Sequence, residues 1–375
     1  MQQDMHFYAV YYLCVKAGFD SEEAERIATS SQYVDDALES EQMGLTDGHS
    51  KYGFDPVCTQ HMSLRSLGEV VSDKVYFPFH FMPAADLRHP NKKTITIPFD
   101  KNQAVRRVLD RALHSKNTYR IGIALHAMAD SYSHENFSGE WSTINAIGRV
   151  RCIFRRRIMP KSPVVSFIWI LSQSIKTKTR MVLCPFLPEI GHLKAYDIPD
   201  YPFAIWKYRD ENGKVVIRNN PELYTACMMK LFGCLKQIRG SKKVEDQEER
   251  DIESTINKST DISASLQKRV RFWRRLLRHE GYKTKYNPIQ WKRAAFKENA
   301  LALKEMKPMS KRVYRVRGTI EDFLKSDYYR FHDAAKNHRI EVLKAIQKAI
   351  PRASISLKET IGKNLFFNPA QPFSS

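Results

Sequence analysis

The sequence lacks the features that define several protein classes. Its six cysteines are scattered and include no CxxC pair, which excludes a disulfide framework and a zinc ribbon. No apolar run reaches the roughly 18 residues of a membrane-spanning helix, and the best candidate, Val164–Leu171, is short and flanked by arginines and lysines. Asp4 interrupts the N-terminal segment and no small-residue cleavage site follows, so no secretory signal is recognised. We therefore expect a cytoplasmic protein without a transmembrane segment.

Acidic residues are scarce in the second part of the chain. Residues 1–150 contain 15 basic and 19 acidic side chains, and residues 151–375 contain 46 and 22, which gives net charges of −4 and +24. A strongly basic surface attracts phosphate-rich partners. We expect an anionic substrate, and nucleic acid or an anionic membrane surface as the partner of the basic C-terminal helices. A peripheral location at the inner membrane would suit the second partner, and a merely solvated surface is the alternative.

The periodicity of apolar residues predicts an all-α fold, a multi-helix globular core with a basic helical C-terminal extension. Helices are expected at 5–17, from Ser21 to about Ser40, at 101–117, 118–137, 266–306 and 319–350. The composition divides the chain into a metal-binding helical core at 1–208, a polar connecting segment at 209–265 and a basic helical part at 266–375 that packs on the core.

One predicted helix contains the most informative motif, His126-x-x-x-Asp130-x-x-x-His134. Positions i, i+4 and i+8 differ by about 40° per step, so all three side chains project from one stripe of the helix. The neighbouring residues are apolar, and burying two imidazoles and a carboxylate among them is unfavourable without strong partners. A divalent ion such as zinc is one such partner. A hydrogen-bonded Asp–His pair inside a helix is the alternative.

Ligand-type side chains also fall on apolar faces of the first two helices. Asp35 lies on the apolar face of the second helix, and Asp36 points about 100° away from it. An acid on such a face needs a cation or a metal ion, and we count both residues as candidate ligands. An acidic pair that ends the helix at the surface is the alternative. His6 lies in the apolar first helix, where a lone histidine is more often a hydrogen-bonded core residue.

Three further histidines lie outside these helices. His80 occurs in the aromatic segment FPFHFMP, where it is a ligand, a substrate-facing acid or a packed core residue. His192 follows PEIG in a turn that can direct an imidazole inward. His332-Asp333 is formally an HD dipeptide, but the companion histidines of HD phosphohydrolases are not at the expected upstream positions, and we expect His332 on a helix surface.

Together these features resemble the all-helical superfamily of zinc-dependent phospholipase C and single-strand-specific nucleases. The shared order is an early helix histidine, an aspartate in the second helix, the HxxxDxxxH helix and a further isolated histidine. More closely, the segments QQDMHFYAVYYL, AGFDSEEAERIATSSQYVDDA, YFPFHFMP, HAMADSYSHENFSG and EIGHLKAYDIPDYP resemble a bacterial family of about this length. The resemblance covers residues 2–208 and continues weakly at residues 286–291 and 331–335.

The resemblance implies a centre of divalent metal ions. Carried over by position, its ligands are His6, Asp35, His61, His126 and Asp130, followed by His134 and His192. Two departures matter. Phospholipases of this group use their N-terminal amine as a ligand, whereas this chain has five residues before His6. They also have a second helix with a His-x-x-x-Glu motif, whereas here His192 is followed four residues later by Tyr196. We therefore expect one or two ions rather than three, and the family likeness implies zinc.

The resemblance also implies hydrolysis of a phosphodiester in a phospholipid, a nucleotide or a nucleic acid. Asp130 and Asp35 would bridge the ions and orient the nucleophile, and His80 would protonate the leaving oxygen. A metal-containing protein that binds nucleic acid or a membrane surface without turnover is the first alternative. A purely structural helical protein with buried His–Asp pairs is the second.

The basic run from Lys268 to Arg278 interleaves apolar side chains with six cations. Such a helix can lie on anionic lipid or bind nucleic acid. Alternatively, its apolar stripe docks on the core and its charges face water.

Overall fold

The computed structural model describes residues 1–40, 42–60, 71–84, 94–153, 189–240, 245–304 and 313–349. Most of these residues are helical. The helices are α1 (π-helical over Asp4–Ala9, then α-helical over Val10–Lys16), α2 (Ser21–Tyr33), α3 (Ser72–His80, π-helical), α4 (Gln103–Leu113), α5 (Thr118–Ser133), α6 (Asn220–Ile238), α7 (Asp246–Thr260), α8 (Leu266–His279), α9 (Gln290–Ala295), α10 (Ala300–Lys304), α11 (Ile320–Lys325) and α12 (Asp327–Ala349). Short 3-10 turns lie at Phe99–Lys101, Thr143–Asn145, Leu193–Ala195 and Ile198–Asp200.

Two small sheets show that the prediction of an all-α fold is wrong. Their strands are β1 (Met43–Thr46), β2 (Lys51–Phe54), β3 (Gly148–Ile153), β4 (Ile205–Arg209), β5 (Val215–Asn219) and β6 (Val313–Arg315). One sheet has the order β2-β1-β6, with β1 antiparallel to β2 and parallel to β6. The other is antiparallel with the order β3-β4-β5. Strands of three to six residues give too short an alternation to be distinguished from loops in the sequence.

Local capping explains where the first two helices begin and end. Gly18 follows α1 at φ 91°, a conformation that glycine adopts without steric cost. The Asp20 side chain then accepts a hydrogen bond from the Glu23 N–H and caps the start of α2. α2 ends at Tyr33 and not near Ser40, because turn-type hydrogen bonds replace the helical pattern from Asp35 onward.

The central helix of the fold is α5, which packs against α2, α4, α6, α12 and α3. Its approach to α2 is very close at Gly122. A Cβ atom at that position would overlap the Ile27 carbonyl and the Ser30 side chain, so only glycine fits without a shift. α5 and the turn that follows α2 supply ligand-type side chains, and this close contact sets the distance between them.

The main hydrophobic core joins elements from all three predicted segments of the chain. Buried apolar side chains of α1, α4 and α5 pack there with side chains of α6, α7, α8 and the end of α12. Trp273 and Leu277 of α8 are completely buried in this core, as expected for a docked helix with its charges in water. A single helix over 266–306 is not formed, since Gly281 adopts φ 89° after α8 and an extended segment precedes α9.

Among the described residues, no helix combines the length and the apolar character required to cross a bilayer. The stretch that contains Val164–Leu171 lies outside the described residues.

Candidate metal centre

Three helices and two loop segments direct ligand-type side chains to one place. α5 supplies His126 and Asp130 and ends at His134, its C-cap residue. α1 contributes His6 from its π-helical start, and α3 contributes His80, its last residue. Asp35, His192 and Asp200 come from segments outside the longer helices.

The first group of the centre consists of His6, Asp35, His80, His126 and Asp130. Asp130 lies between the three histidines of this group. One of its carboxylate oxygens is 3.1 Å from His6 Nε2, and the other is 2.9 Å from His80 Nδ1 and 3.2 Å from His126 Nε2. Asp35 approaches from the side, with its oxygens 3.9 Å from His6 Nε2 and 3.8 Å from His126 Nε2. His6, His80, His126 and Asp130 are buried.

The second group consists of His134, His192 and Asp200. One oxygen of Asp200 lies 3.3 Å from His134 Nε2, and the other lies 3.3 Å from His192 Nε2. The two imidazole rings lie 4.8 Å apart between centroids, and Phe81 stacks on His134 at 4.4 Å. The second group adjoins the first, because His134 Nδ1 is 3.7 Å from Asp130.

The hydrogen bonds of three histidines determine which ring nitrogen is free. His80 Nε2–H donates to the Thr59 carbonyl at 2.8 Å, His134 Nδ1–H to the His80 carbonyl at 2.9 Å, and His192 Nδ1–H to the Tyr196 carbonyl at 2.6 Å. In the neutral ring, the other nitrogen then has a lone pair. In all three histidines that nitrogen faces a carboxylate oxygen, an arrangement that is repulsive unless a proton or a cation lies between the two atoms. Histidine ligands of metal ions are typically oriented by such a second hydrogen bond.

His6 and His126 complete the first group in a different way. Their rings stack at 3.9 Å, and neither Nδ1 atom has a hydrogen-bond partner among the described residues. Burial, together with the neighbouring His126 and the N-terminal cation, lowers the pKa of His6 to about 4. A neutral imidazole at ordinary pH is the form that binds metal ions.

The N-terminal amine lies between the two groups. It donates to Asp130 at 2.7 Å and lies 3.0 Å from Asp200 and 3.3 Å from Ser133 Oγ. Burial opposes its charge, but the two aspartates raise its pKa to about 11. A buried ion pair of Asp4 with Arg269 at 2.6 Å holds this segment in place. The first turn of α1 and the residues just before it thus place the amine beside the centre.

The carboxylates of the centre remain ionised despite their burial. Burial disfavours the charged form of Asp130, but the N-terminal cation and the surrounding His134, His126 and His6 hold its pKa well below the usual range. The pKa of Asp200 is likewise well below its usual range, since the amine and its two histidines outweigh burial.

The donor set fits divalent transition-type ions. Each of three subsets has ligand atoms within 4.8 Å of one another: His6, His126 and Asp130; Asp35, His80 and His126; and His134, His192 and Asp200. Imidazole nitrogen combined with carboxylate oxygen suits zinc and related ions. Side chains at the open side of the centre are partly exposed, with relative accessibilities of 23% for Asp35, 18% for His192 and 16% for Asp200.

Two predicted ligands are not found in these groups. Asp36 instead accepts a hydrogen bond of 2.6 Å from the Tyr286 hydroxyl, which lies on the other side of the turn after α2. His61 lies outside the described residues. The other predicted ligands, His6, Asp35, His126, Asp130, His134 and His192, all lie in the two groups, and His80, predicted as a proton donor, joins them.

Asp200 is the ligand-type residue that sequence reasoning did not select. It follows His192 by eight positions in the turn-rich segment YDIPDYP, where two acids and two tyrosines occur without helical periodicity. Its spacing from His192 was the only available signal. His332, expected on a helix surface, is completely buried and accepts a hydrogen bond from the Val57 N–H at 3.0 Å, because α12 packs under β2 and the loop after it.

Comparison with known proteins gives one match. The model of a family described as a family of unknown function (DUF6765) matches residues 1–346. No curated protein and no solved structure matches the chain.

Proposed function

The chain belongs to this DUF6765 family, and we propose that it is a metal-dependent hydrolase of phosphodiesters that holds one or two divalent ions, such as zinc, in the two groups. One observation supports this proposal above all. Three histidines, each fixed by a hydrogen bond to a backbone carbonyl, direct the remaining ring nitrogen at a carboxylate oxygen. A cation between these atoms would remove the repulsion and satisfy both groups.

The charge of the loaded centre favours an anionic substrate. The two groups contain three carboxylates, Asp35, Asp130 and Asp200, so two divalent ions with four positive charges would leave an excess of one. A phosphodiester has one negative charge and matches such a site. Divalent ions held there would lower the pKa of bound water toward neutrality and neutralise phosphoryl oxygens.

The residues divide into deep ligands and residues at the opening. His6, His126 and Asp130 are buried and suit a purely ligating role. Asp35 and Asp200 are partly exposed and lie where substrate can reach the centre. His80 uses one ring nitrogen on the Thr59 carbonyl and the other on Asp130, so we assign it to the ligands and not to protonation of the leaving group.

The basic helix α8 supports a polyanionic strand as partner in preference to a lipid surface. Lys268, Arg271, Arg275 and Arg278 are exposed and lie within an arc of about 80° along about 15 Å of the helix. Within the described part of the chain, none of the four forms an ion pair. The apolar side chains of α8 pack in the core, so they are not available for insertion into a bilayer.

We place the proposed hydrolase in the cytoplasm. Cys14, Cys58, Cys152, Cys227 and Cys234 are free thiols, as expected in a reducing compartment. Peripheral binding to the inner membrane is less favoured, because the apolar side chains of α8 pack in the core and are not available for insertion into a bilayer.

Metal content and turnover test the proposal together. The purified full chain is analysed for bound elements and then assayed on bis(p-nitrophenyl) phosphate, phosphatidylcholine, dinucleotides and single-stranded DNA. We expect at least one zinc-type ion per chain and measurable hydrolysis. Asp130→Asn should lose metal and at least about a thousandfold in turnover, which corresponds to about 4 kcal/mol of transition-state stabilisation. Asp333→Asn, an exposed acid of the HD dipeptide on α12, is the matched control and should change neither quantity.

Two results would contradict the proposal. Less than about one ion per five chains after growth with zinc would favour a structural protein with buried His–Asp pairs. Stoichiometric metal without turnover on any of the substrates would favour a metal-containing binding protein.

A further inference from the structure

A cavity of about 530 Å3 lies in the segment that connects α8 to α9. All of its lining residues come from this one stretch of chain: Lys285, Tyr286, Asn287, Pro288, Gln290 and Arg293. Two of them are cations and none is acidic. The cavity is therefore electropositive and lined by hydrogen-bond donors.

The donors of the cavity are not engaged elsewhere. Lys285 and Arg293 are exposed, and among the described residues neither forms an ion pair or a side-chain hydrogen bond. Asn287 uses its side-chain oxygen to accept the Ile289 N–H at 3.2 Å, which leaves its NH2 group as a donor. An ammonium, a guanidinium and an amide NH2 together match the oxygens of a phosphate group.

The walls of the cavity are fixed by buried contacts. The Tyr286 N–H donates to the Tyr8 hydroxyl at 3.2 Å, and the Tyr286 ring lies 5.0 Å from Phe7. Lys292, next to Arg293, forms a buried ion pair with Glu39. The backbone of the cavity wall is thus held by α1 on one side and by the residues after α2 on the other, while the side chains of Lys285 and Arg293 are exposed.

The same two parts of the chain also supply the metal centre. Phe7 adjoins His6, and the Tyr286 hydroxyl donates to Asp36, the neighbour of Asp35. Gln32 Nε2 lies 3.5 Å from Asp35 Oδ2 and 3.3 Å from Asp36 Oδ2, so this side chain connects the two aspartates of the turn. The Tyr286 hydroxyl thus links the wall of the cavity to the turn that holds Asp35.

We propose that this cavity is a phosphate subsite, in which Lys285 and Arg293 bind a second phosphate group of the substrate while the metal centre binds the diester. The binding of phosphate stands on the cavity residues alone, whereas the role in substrate selection rests on the proposed function. The preferred substrate is then a diester with an additional phosphate, such as a 5′-phosphorylated nucleotide chain.

Direct titration tests the subsite without turnover. Inorganic phosphate is titrated calorimetrically into the full-length Asp130→Asn chain, which disables the centre, or into chelator-treated wild-type chain should that variant fail to fold. Adding Lys285→Ala and Arg293→Ala should weaken phosphate binding on the order of tenfold for each cation removed. Lys283→Ala with Lys297→Ala removes the same charge at exposed positions that do not line the cavity, and we expect a change below about twofold. Equal affinities in the two double variants would overturn the proposal.

Substrate selection is tested on the metal-loaded chain. The ratio of kcat/KM for a 5′-phosphorylated dinucleotide to kcat/KM for bis(p-nitrophenyl) phosphate should fall at least tenfold in the Lys285→Ala, Arg293→Ala variant and stay constant in the control pair. An unchanged ratio would overturn the role in substrate selection. The chain could also bind phosphate through the two cations and yet show no turnover. That result would support the subsite and contradict the hydrolase proposal, so failure of the subsite and failure of the hydrolase proposal are distinguishable.

Discussion

Two sets of histidines in this molecule differ in what their ring nitrogens face. His80, His134 and His192 each donate to a backbone carbonyl and direct the other nitrogen at a carboxylate. His332 and His338 of α12 are buried and also bond to the backbone, to the Val57 N–H and the Pro78 carbonyl, each at 3.0 Å. Their second ring nitrogens have no hydrogen-bond partner, and among the described residues neither histidine pairs with a carboxylate.

Burial by itself therefore does not identify a metal ligand. Burial lowers the pKa of His332 to about 3 and that of His338 to about 4, and it lowers that of His6 in the centre to about 4 as well. What differs is the convergence of carboxylates on the imidazoles, which creates a need for positive charge only in the centre. The α12 histidines fill the core, whereas under the proposed function the centre histidines bind a cation.

The largest expected difference between the two sets is in metal affinity. His126→Asn should reduce the affinity for zinc by more than about a hundredfold, since even outer-shell partners of metal ligands contribute 10–100-fold. His338→Asn, on a helix packed against the same core, should leave the affinity unchanged. Competition with a chromogenic chelator measures both. Similar losses in the two variants would remove the distinction between the sets.

The free energy of unfolding should depend on the α12 histidines, whose replacement should leave the metal content unchanged. His332→Ala leaves a cavity among Tyr328, Phe331 and Phe54 and should lower the free energy of unfolding by about 2–4 kcal/mol, as for other large buried side chains. Its metal content should stay stoichiometric. Denaturant unfolding and elemental analysis of the same preparation measure the two quantities. Loss of metal in this folded variant would show that α12 takes part in the centre.

A smaller effect is expected in the pH dependence of stability. The unfolded chain protonates a histidine below about pH 6.5, whereas folded His338 stays neutral down to about pH 4. The contribution of His338 to the free energy of unfolding is therefore fully present above about pH 6.5 and is lost as the pH falls from about 6.5 to about 4. In chelator-treated protein, His338→Asn should reduce the slope of unfolding free energy against pH by about 1.4 kcal/mol per unit between pH 4 and 6.5. A series of urea titrations gives the slope, and parallel curves for both proteins would refute the assignment.

The sequence predicted that three side chains of the centre lie on one face of one helix. His126, Asp130 and His134 share a stripe because α5 is an ordinary helix, and α-helical geometry fixes that spacing. Asp35 was placed near its ligand position although α2 ends before it, because the turn after Tyr33 keeps the chain compact. By contrast, the sheets were missed, since their strands are short and are stabilised by partners distant in sequence, such as β6 beside β1.

Several parts of the centre were decided by tertiary packing alone. Asp200 joins His134 and His192 through a loop whose path has no periodicity, and Asp36 turns to Tyr286, which lies 250 positions away along the chain. The N-terminal amine reaches Asp130 because Arg269 of α8 holds Asp4. None of these contacts has a local signature in the sequence.

The sequence by itself determined the ligand types, the helix that presents three of them, and the separation of a mildly acidic first part from a strongly basic remainder. Those properties follow from side-chain chemistry and from the 3.6-residue turn, which act over short distances along the chain. Only the folded chain decided which imidazole nitrogen is free and which carboxylate it faces. For His80 and His134, hydrogen bonds to backbone carbonyls distant in sequence set that choice, and they exist only once the helices and loops have packed.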